Sequence, residues 1–461
     1  MALIKSISGI RGTIGGLQGD NLTPADIVKF TTAYAAWLNM QPHSEPVLKV
    51  VVGCDARISR DLVMSLVITT LRSCGINVVN IGLASTPAVE IAVTFKQANG
   101  GIIVTASHNP ENWNALKLLN EKGEFLSKAD GEMVLQLAES NDFQFADVYH
   151  LGKEHFDFRF LRRHVESVMA LPLVNAEAIQ RADLHIIVDA VNSVGSKAVP
   201  RMLNTLGVTQ ITELNCIPNG RFAHNPEPLP ENLTQIAEAI RVQGADLGIV
   251  VDPDVDRLAL VCEDGSMFGE EYTLVAVADY VLRYTPGAVV SNLSSSRALR
   301  DVTEKEKCQY YTSAVGEVNV VAKMKEVNAV IGGEGNGGII YPPLHYGRDA
   351  LVGIGLFLSN YVKQGKSMSK MRDSYPKYYI SKNKVELPAD TNVDAIFEKI
   401  KRRFSDEKIT DIDGVKIDFE AKKEWVHLRK SNTEPIIRIY AEAKNKKTAD
   451  ALAQEVMAEI G

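Results

Sequence analysis

Residues 48–52, 184–188, 247–251, 288–290 and 329–331 are short apolar runs, and each breaks off at glycine or polar residues. Helical patterns separate them. Strands of this length alternating with helices build α/β layers, not bundles or sandwiches. In open α/β sheets, ligands collect beyond the carboxyl ends of the strands. The loops after these runs are therefore where chemistry is to be sought. No clean sequence repeat accompanies the rhythm, so similar units are expected without a claim of duplication.

The chain has 461 residues, more than one hydrophobic core can organise. A helical stretch at 126–140 gives way to the polar segment 141–154. A second break falls at 257–269, where a strand at 258–262 turns at Glu263, Asp264, Gly265 and Ser266. After a helix around 350–362, the polar run 363–384 reads as a linker into a last unit with strands at 415–419, 425–428 and 436–440 and helices at 393–404 and 447–460. The expectation is four domains, 1–152, 153–257, 258–372 and 373–461: three α/β and a smaller α+β one. With 45% hydrophobic and 23% charged residues the chain is ordinary folded protein. A net charge of −7 argues against nucleic acid or an acidic membrane as partner, so an anionic ligand must be met by local cations. Cys54, Cys74, Cys216, Cys262 and Cys308 show no paired spacing, which fits free thiols in a reducing compartment. The first residues lack the apolar core of a signal peptide, and no run approaches the ~18 residues of a membrane span. A cytoplasmic protein is expected.

Four loops carry candidate chemistry. The run from Gly101 ends in Thr105-Ala-Ser-His-Asn-Pro110, which sets Ser107 at the mouth of a polar loop. A serine hydroxyl needs a base, metal or cation to act as a nucleophile. His108 is adjacent, but neighbours on an extended chain point to opposite sides, so it is expected to meet substrate and not to serve Ser107. A cap or turn before Pro110 explains the same residues equally well. The second loop is Asp252-Pro-Asp-Val-Asp-Arg257. On an extended segment its three carboxylates share one side, repel each other, and call for a hard cation, Mg²⁺ above all, with a phosphate on Ser107 adding an oxygen and Arg257 beside it. The third, Gly333-Glu-Gly-Asn-Gly-Gly338, combines close backbone approach with Glu334 and Asn336 as hydrogen-bonding groups for sugar hydroxyls. No Lys-Ser or Lys-Thr follows, which removes a nucleotide phosphate loop. The fourth, Arg429-Lys-Ser-Asn-Thr-Glu-Pro435 with Arg438 beyond it, offers a guanidinium fork and the donors of Ser431, Asn432 and Thr433 to a phosphate. A solvated turn is its plain alternative. Arg11, between glycines, and Lys117 are further cations for a moving phosphoryl group, and Lys117 could shuttle a proton if its pKa were lowered.

Together and in this order, the four motifs resemble the α-D-phosphohexomutase superfamily of phosphoglucomutases, phosphomannomutases and phosphoglucosamine mutases. The resemblance implies three similar α/β domains and a smaller fourth around a central cleft. It implies a phosphorylated Ser107, Mg²⁺ held by Asp252, Asp254 and Asp256, a sugar gripped by Glu334 and Asn336, and a phosphate held by Arg429, Ser431, Asn432, Thr433 and Arg438. It further implies a hexose 1,6-bisphosphate as intermediate and activator. The expected partner is a small sugar phosphate, with no nucleic acid or membrane and a homodimer as the assembly considered. The sugar loop departs from the common G-E-M-S-G-H form and is similar to the E-x-N-G form of archaeal-type phosphoglucosamine mutases. Glu317 stands where a histidine is often found, and a carboxylate there can pair with the ammonium of glucosamine phosphate. Phosphoglucosamine mutase is the expected activity, ahead of phosphoglucomutase/phosphomannomutase, a metal-dependent sugar phosphatase, and a non-catalytic sugar-phosphate sensor.

Overall fold

A computed structural model describes residues 3–6, 9–43, 45–388, 391–430 and 436–460. Four sheets follow one another along the chain. In the first, Lys49–Cys54 is central, with Asn77–Leu83 parallel on one side, Gly100–Val104 parallel on the other, and Trp113–Leu119 antiparallel beyond Gly100–Val104. The second repeats that order: His185–Asp189, flanked by Gln210–Leu214 and Leu247–Val251, with Leu258–Cys262 antiparallel to the last. The third does so again with Val289–Asn292, Tyr310–Ser313, Ile331–Glu334 and Gly338–Ile340. Expected apolar strands thus form the parallel centre of each unit, shifted by up to three residues at their ends.

The shared layout has a direct consequence for the site. In each unit the link between the last parallel strand and its antiparallel neighbour is a chemistry-bearing loop: 105–112, 252–257 and 335–337. All three sit at carboxyl ends of parallel strands, as the layer argument requires.

The fourth sheet is antiparallel throughout, Tyr379–Glu386, Ile436–Ala443, Glu424–Lys430, Val415–Phe419 and Lys408–Thr410 in spatial order. Two sequence expectations change here. The polar run 363–384 is no linker: Met368–Asp373 is helical, and Tyr379–Glu386 pairs along its whole length with Ile436–Ala443. It looked like linker because an edge strand leaves half of its side chains exposed. The second sheet also runs to Cys262, past the limit expected at Arg257, and Glu154–Phe156 joins the first sheet beyond residue 152. We propose unit limits after Phe156, Cys262 and Tyr378.

The second and third units share one apolar core. Helix Ala350–Gln364, buried over nearly its full length, packs with Glu270–Tyr284 of its own unit and with Phe160–Met169 and Gly195–Thr205 of the second. The last unit has a separate core around Ile417, Val426, Ile437 and Val456. No described helix is long and apolar enough to cross a membrane.

Candidate active site and metal centre

Ser107 follows the buried strand Gly100–Val104 and takes a φ of 49°, left-handed for a residue with a side chain. Such strain persists only where surroundings impose it. Here the imposing group is Arg57. Its guanidinium is fully buried and donates to the carbonyls of Ser107 (2.5 Å), Asn109 (2.7 Å), Pro110 (2.6 Å) and Trp113 (3.0 Å), while Asp55 Oδ2 lies 3.1 Å from its Nε. Thr105 Oγ1 donates to Asp55 and accepts the Ser107 N–H, closing the turn. The left-handed turn also overturns the expectation for His108. Alternation holds on extended chain only, and here His108 Nδ1 comes within 3.5 Å of Ser107 Oγ. Burial, then Arg257 and Arg348, hold the imidazole pKa well below its ordinary value, so it is neutral.

The hydroxyl of Ser107 donates to Asp252 Oδ2 at 3.1 Å across two units. Asp252, Asp254 and Asp256 are fully buried, with one oxygen from each lying within 4.8 Å of the others. Asp252 Oδ1 accepts the N–H groups of Asp256 and Arg257, which curls the loop around it. Asp254 sits at the start of helix Thr86–Phe95: its carbonyl accepts the Thr86 N–H, and its Oδ2 accepts the Thr86 hydroxyl at 2.6 Å. Lys117 Nζ lies 2.8 Å from Asp254 and 3.6 Å from Asp256. Asp254 Oδ1 and Asp256 Oδ1 are buried with no hydrogen-bond partner. Buried carboxylate oxygens left bare are costly unless a cation meets them. Burial, then Asp256 and Asp254, push the Asp252 carboxyl far above the usual range, the signature of crowded like charge. The triad therefore suits a hard divalent cation in charge, donor type and unused oxygens.

The condition set for Lys117 as a proton shuttle, a lowered pKa, is not met: burial acts to lower it, but Asp254 and Asp256 outweigh burial and raise it, which favours the charged form. Arg11 stands opposite Ala115 on the neighbouring strand, on the face that carries Lys117. Its Nε is buried without a hydrogen-bond partner. Arg257 lies near Asp256 Oδ1 (3.9 Å) and Glu227 (3.6 Å).

One residue that sequence reading missed joins the metal and sugar loops. Arg348 donates Nη2 to Asp256 at 2.6 Å, Nη1 to Glu334 at 3.2 Å and Nε to Glu317 at 3.0 Å, and its backbone N–H also reaches Glu317 at 3.0 Å. Each Glu317 oxygen thus accepts one bond from Arg348, so an ammonium group would share this carboxylate with Arg348. Glu334 further accepts from Asn292 (2.8 Å), the Gly316 N–H (3.1 Å) and Asn336 (3.4 Å). Burial works against its charge, but Arg348, the Asn292 bond and Arg257 prevail and hold it below the usual range. The one available signal was Gly347-Arg348-Asp349 directly before the apolar run 350–358.

In the last unit, Arg429 and Arg438 are direct cross-strand neighbours, and Lys384 is opposite Arg438 on the next strand. Lys384 and Arg438 are exposed and Arg429 is half-buried, so the row presents three neighbouring cations to solvent. Asp413 joins this row to the sugar side: its carboxylate lies 2.8 Å from Arg429 Nε and accepts the Val315 N–H at 2.9 Å, two residues before Glu317. Ser294 and His427 add a second tie between the units at 2.9 Å. Ser431, Asn432 and Thr433 lie outside the described residues.

This arrangement of loops is matched by four models of one family, described as phosphoglucomutase/phosphomannomutase. Its α/β/α domains I, II and III fit residues 3–145, 162–265 and 269–379, and its C-terminal domain fits 384–459. The chain belongs to the α-D-phosphohexomutase superfamily. It is accordingly an intramolecular phosphotransferase of carbohydrate metabolism, which sets aside the phosphatase and sensor readings. A phosphohexomutase of Thermococcus kodakarensis, named phosphoglucomutase/phosphomannomutase, is 35% identical over 95% of both chains. The phosphoglucosamine/phosphogalactosamine mutase of Sulfurisphaera tokodaii is 30% identical, covering 99% of this chain and 98% of its own. Among solved structures, a phosphoglucomutase/phosphomannomutase family protein from Burkholderia thailandensis shares the fold with a TM-score of 0.83 at 22% identity, over 100% of this chain and 97% of its own. An N-acetylphosphoglucosamine mutase from Aspergillus fumigatus, solved with GlcNAc-6P and magnesium, gives 0.57 at 15% identity, over 92% and 84%.

Proposed function

We propose that this phosphohexomutase interconverts the 1- and 6-phosphates of an amino hexose, glucosamine foremost, through phospho-Ser107 and a sugar bisphosphate. The observation that carries the covalent route is the Ser107 hydroxyl held 3.1 Å from Asp252 in a buried triad with two bare carboxylate oxygens. Asp252, Asp254 and Asp256 would hold Mg²⁺, as their donor set favours; the Aspergillus structure contains that metal. Bound there, the ion would neutralise charge on the moving phosphoryl group.

Phospho-Ser107 gives its phosphoryl group to the free hydroxyl of a hexose phosphate, so the Ser107 O–P bond breaks as the sugar O–P bond forms. Neutral His108, beside Ser107 Oγ, passes the hydroxyl proton on to the leaving serine oxygen, which restores the Ser107 hydroxyl. Lys117, Arg11 and Arg257 remain charged and steady the phosphoryl oxygens. Arg429 and Arg438, with Ser431, Asn432, Thr433 and the unforeseen Lys384, hold the phosphate that is not reacting. The bisphosphate then turns end for end and returns its other phosphate to Ser107. Because the last unit has its own core, it can shift as a body to accept either end of the sugar and exclude water.

Asn336 in its Gly-Asn-Gly loop and the amino-sugar mutase of Sulfurisphaera support the choice of glucosamine. The second reading, glucose or mannose phosphate, is favoured by the Thermococcus relative and by the engagement of Glu317 with Arg348. Side-by-side turnover of glucosamine, glucose and mannose 6-phosphates decides between them. Mass spectrometry is expected to find phosphate on Ser107, and a Ser107→Ala enzyme with substantial turnover would refute the covalent route.

A further inference from the structure

Beneath the site runs a chain of four buried titratable groups that the proposed reaction leaves unused. Glu90 lies on helix Thr86–Phe95 of the first unit, His164 on Phe160–Met169 of the second, and His345 and Asp349 just before helix Ala350–Gln364 of the third. Glu90 Oε2 is 3.1 Å from His345 Nδ1, off the hydrogen-bond axis but close enough to pair charges. His345 Nε2 is 3.2 Å from Asp349 Oδ2, and the same oxygen is 2.7 Å from His164 Nε2. Asp349 Oδ1 meanwhile caps the helix, accepting the N–H groups of Leu351 and Val352. Glu90 also lies hard against the backbone at Gly347, where an added Cβ would stand 1.9 Å from its Oε2.

These contacts fall on residues 345, 347 and 349 and so fix the main chain on both sides of Arg348. Arg348 is the residue whose planar fork reaches Asp256 in the metal loop and Glu334 and Glu317 at the sugar loop. A guanidinium that serves three carboxylates from different loops needs a fixed origin, because a small drift of its backbone would let it collapse onto one of them. We propose that Glu90, His345, Asp349 and His164 are positioning residues that aim Arg348, and that through it they set the geometry between the metal-loop carboxylates and the sugar loop. None of the four need touch substrate. The inference rests on the mutase reading of the site.

The test combines single and double variants of the full chain. Glu90→Gln and His345→Gln are each expected to lower kcat ~10- to 100-fold and to raise the Mg²⁺ concentration needed for half-maximal activity, with KM for hexose phosphate changed less. In an Arg348→Met background the same substitutions are expected to lower kcat no further, while their effect on the urea midpoint of unfolding stays the same. Losses in kcat that multiply in that background would overturn the proposal and leave the four residues a purely structural role. His164→Asn, the most distant from Arg348, gives the same comparison where Glu90→Gln does not fold. Wild-type turnover, measured first, separates failure of the mutase reading from failure of the positioning role.

Discussion

Asp252 carries the conflict of this site in one side chain: it receives the Ser107 hydroxyl and two backbone N–H groups, yet it shares a dry loop with two further carboxylates. Removing its charge should therefore separate stability from function. In EDTA, Asp252→Asn is expected to be more stable than the wild type by about 0.5–2 kcal/mol in urea unfolding, because repulsion is relieved while the amide oxygen still accepts the loop N–H groups. Its mutase turnover in Mg²⁺ is expected to fall at least ~100-fold. A less stable variant in EDTA would show that the triad is not strained. Lys117→Met should lose ~10²–10³ in kcat, and a bell-shaped pH profile that loses one limb in this variant would instead mark Lys117 as the titrating base. Ser107 and the triad were legible in sequence because each stands in a local pattern of polar residues after an apolar strand, and Lys117 because it is a lone cation inside an apolar strand. Arg57 and Arg348 were not. They act on carbonyls and carboxylates far along the chain, 53 residues from Arg57 to Pro110 and 92 from Asp256 to Arg348, and no local spacing records such partners.

At the scale of elements, the three α/β units place the Ser107 loop, the aspartate loop and the Glu334 loop, the proposed nucleophile, metal and sugar loops, at the same topological position. Two of those loops meet backbone to backbone. The Leu258 N–H donates to the Gly337 carbonyl at 3.0 Å, and a Cβ on Gly337, at φ +84°, would fall 2.4 Å from the Leu258 carbonyl. Gly337→Ala is expected to cost about 1–3 kcal/mol and to reduce turnover more than thermal stability, since it pushes the sugar loop off the strand that follows the metal loop. An alanine variant with native turnover would show that the loops need no such contact. Apolar central strands were readable because burial on both faces leaves no polar alternation to confuse them. The edge strand Tyr379–Glu386 was not, and Lys384, facing Arg438 from that strand, was lost with it.

Over the whole molecule, the second and third units share a core and the last unit has its own. Hydrogen exchange is expected to show the shared pair opening together at the highest free energy and the last unit opening below it; equal protection throughout would contradict this. The buried relay among the first three units also gives stability a pH slope. Against burial, the bond to Asp349 and the nearby Glu90 carboxylate raise the His345 pKa from 6.5 to about 10, so its contribution is whole below pH 6.5 and is lost as pH climbs to 10. Burial raises the Glu90 pKa to about 8, which acts in the same direction between pH 4.5 and 8. Asp349 and His164 also face this pair, and Glu317 and Lys117 act on Glu90 from the site above. The urea midpoint is expected to fall from pH 6.5 to 10 in the wild type and to change less in His345→Gln. The four-unit plan was visible from strand rhythm, but the relay was not, because its members come from three units. Finally, the file of Arg429, Arg438 and Lys384 has a practical corollary. If it holds the idle phosphate as proposed, sulfate or inorganic phosphate in an assay buffer is expected to compete for those side chains and to raise the apparent KM for the sugar phosphate.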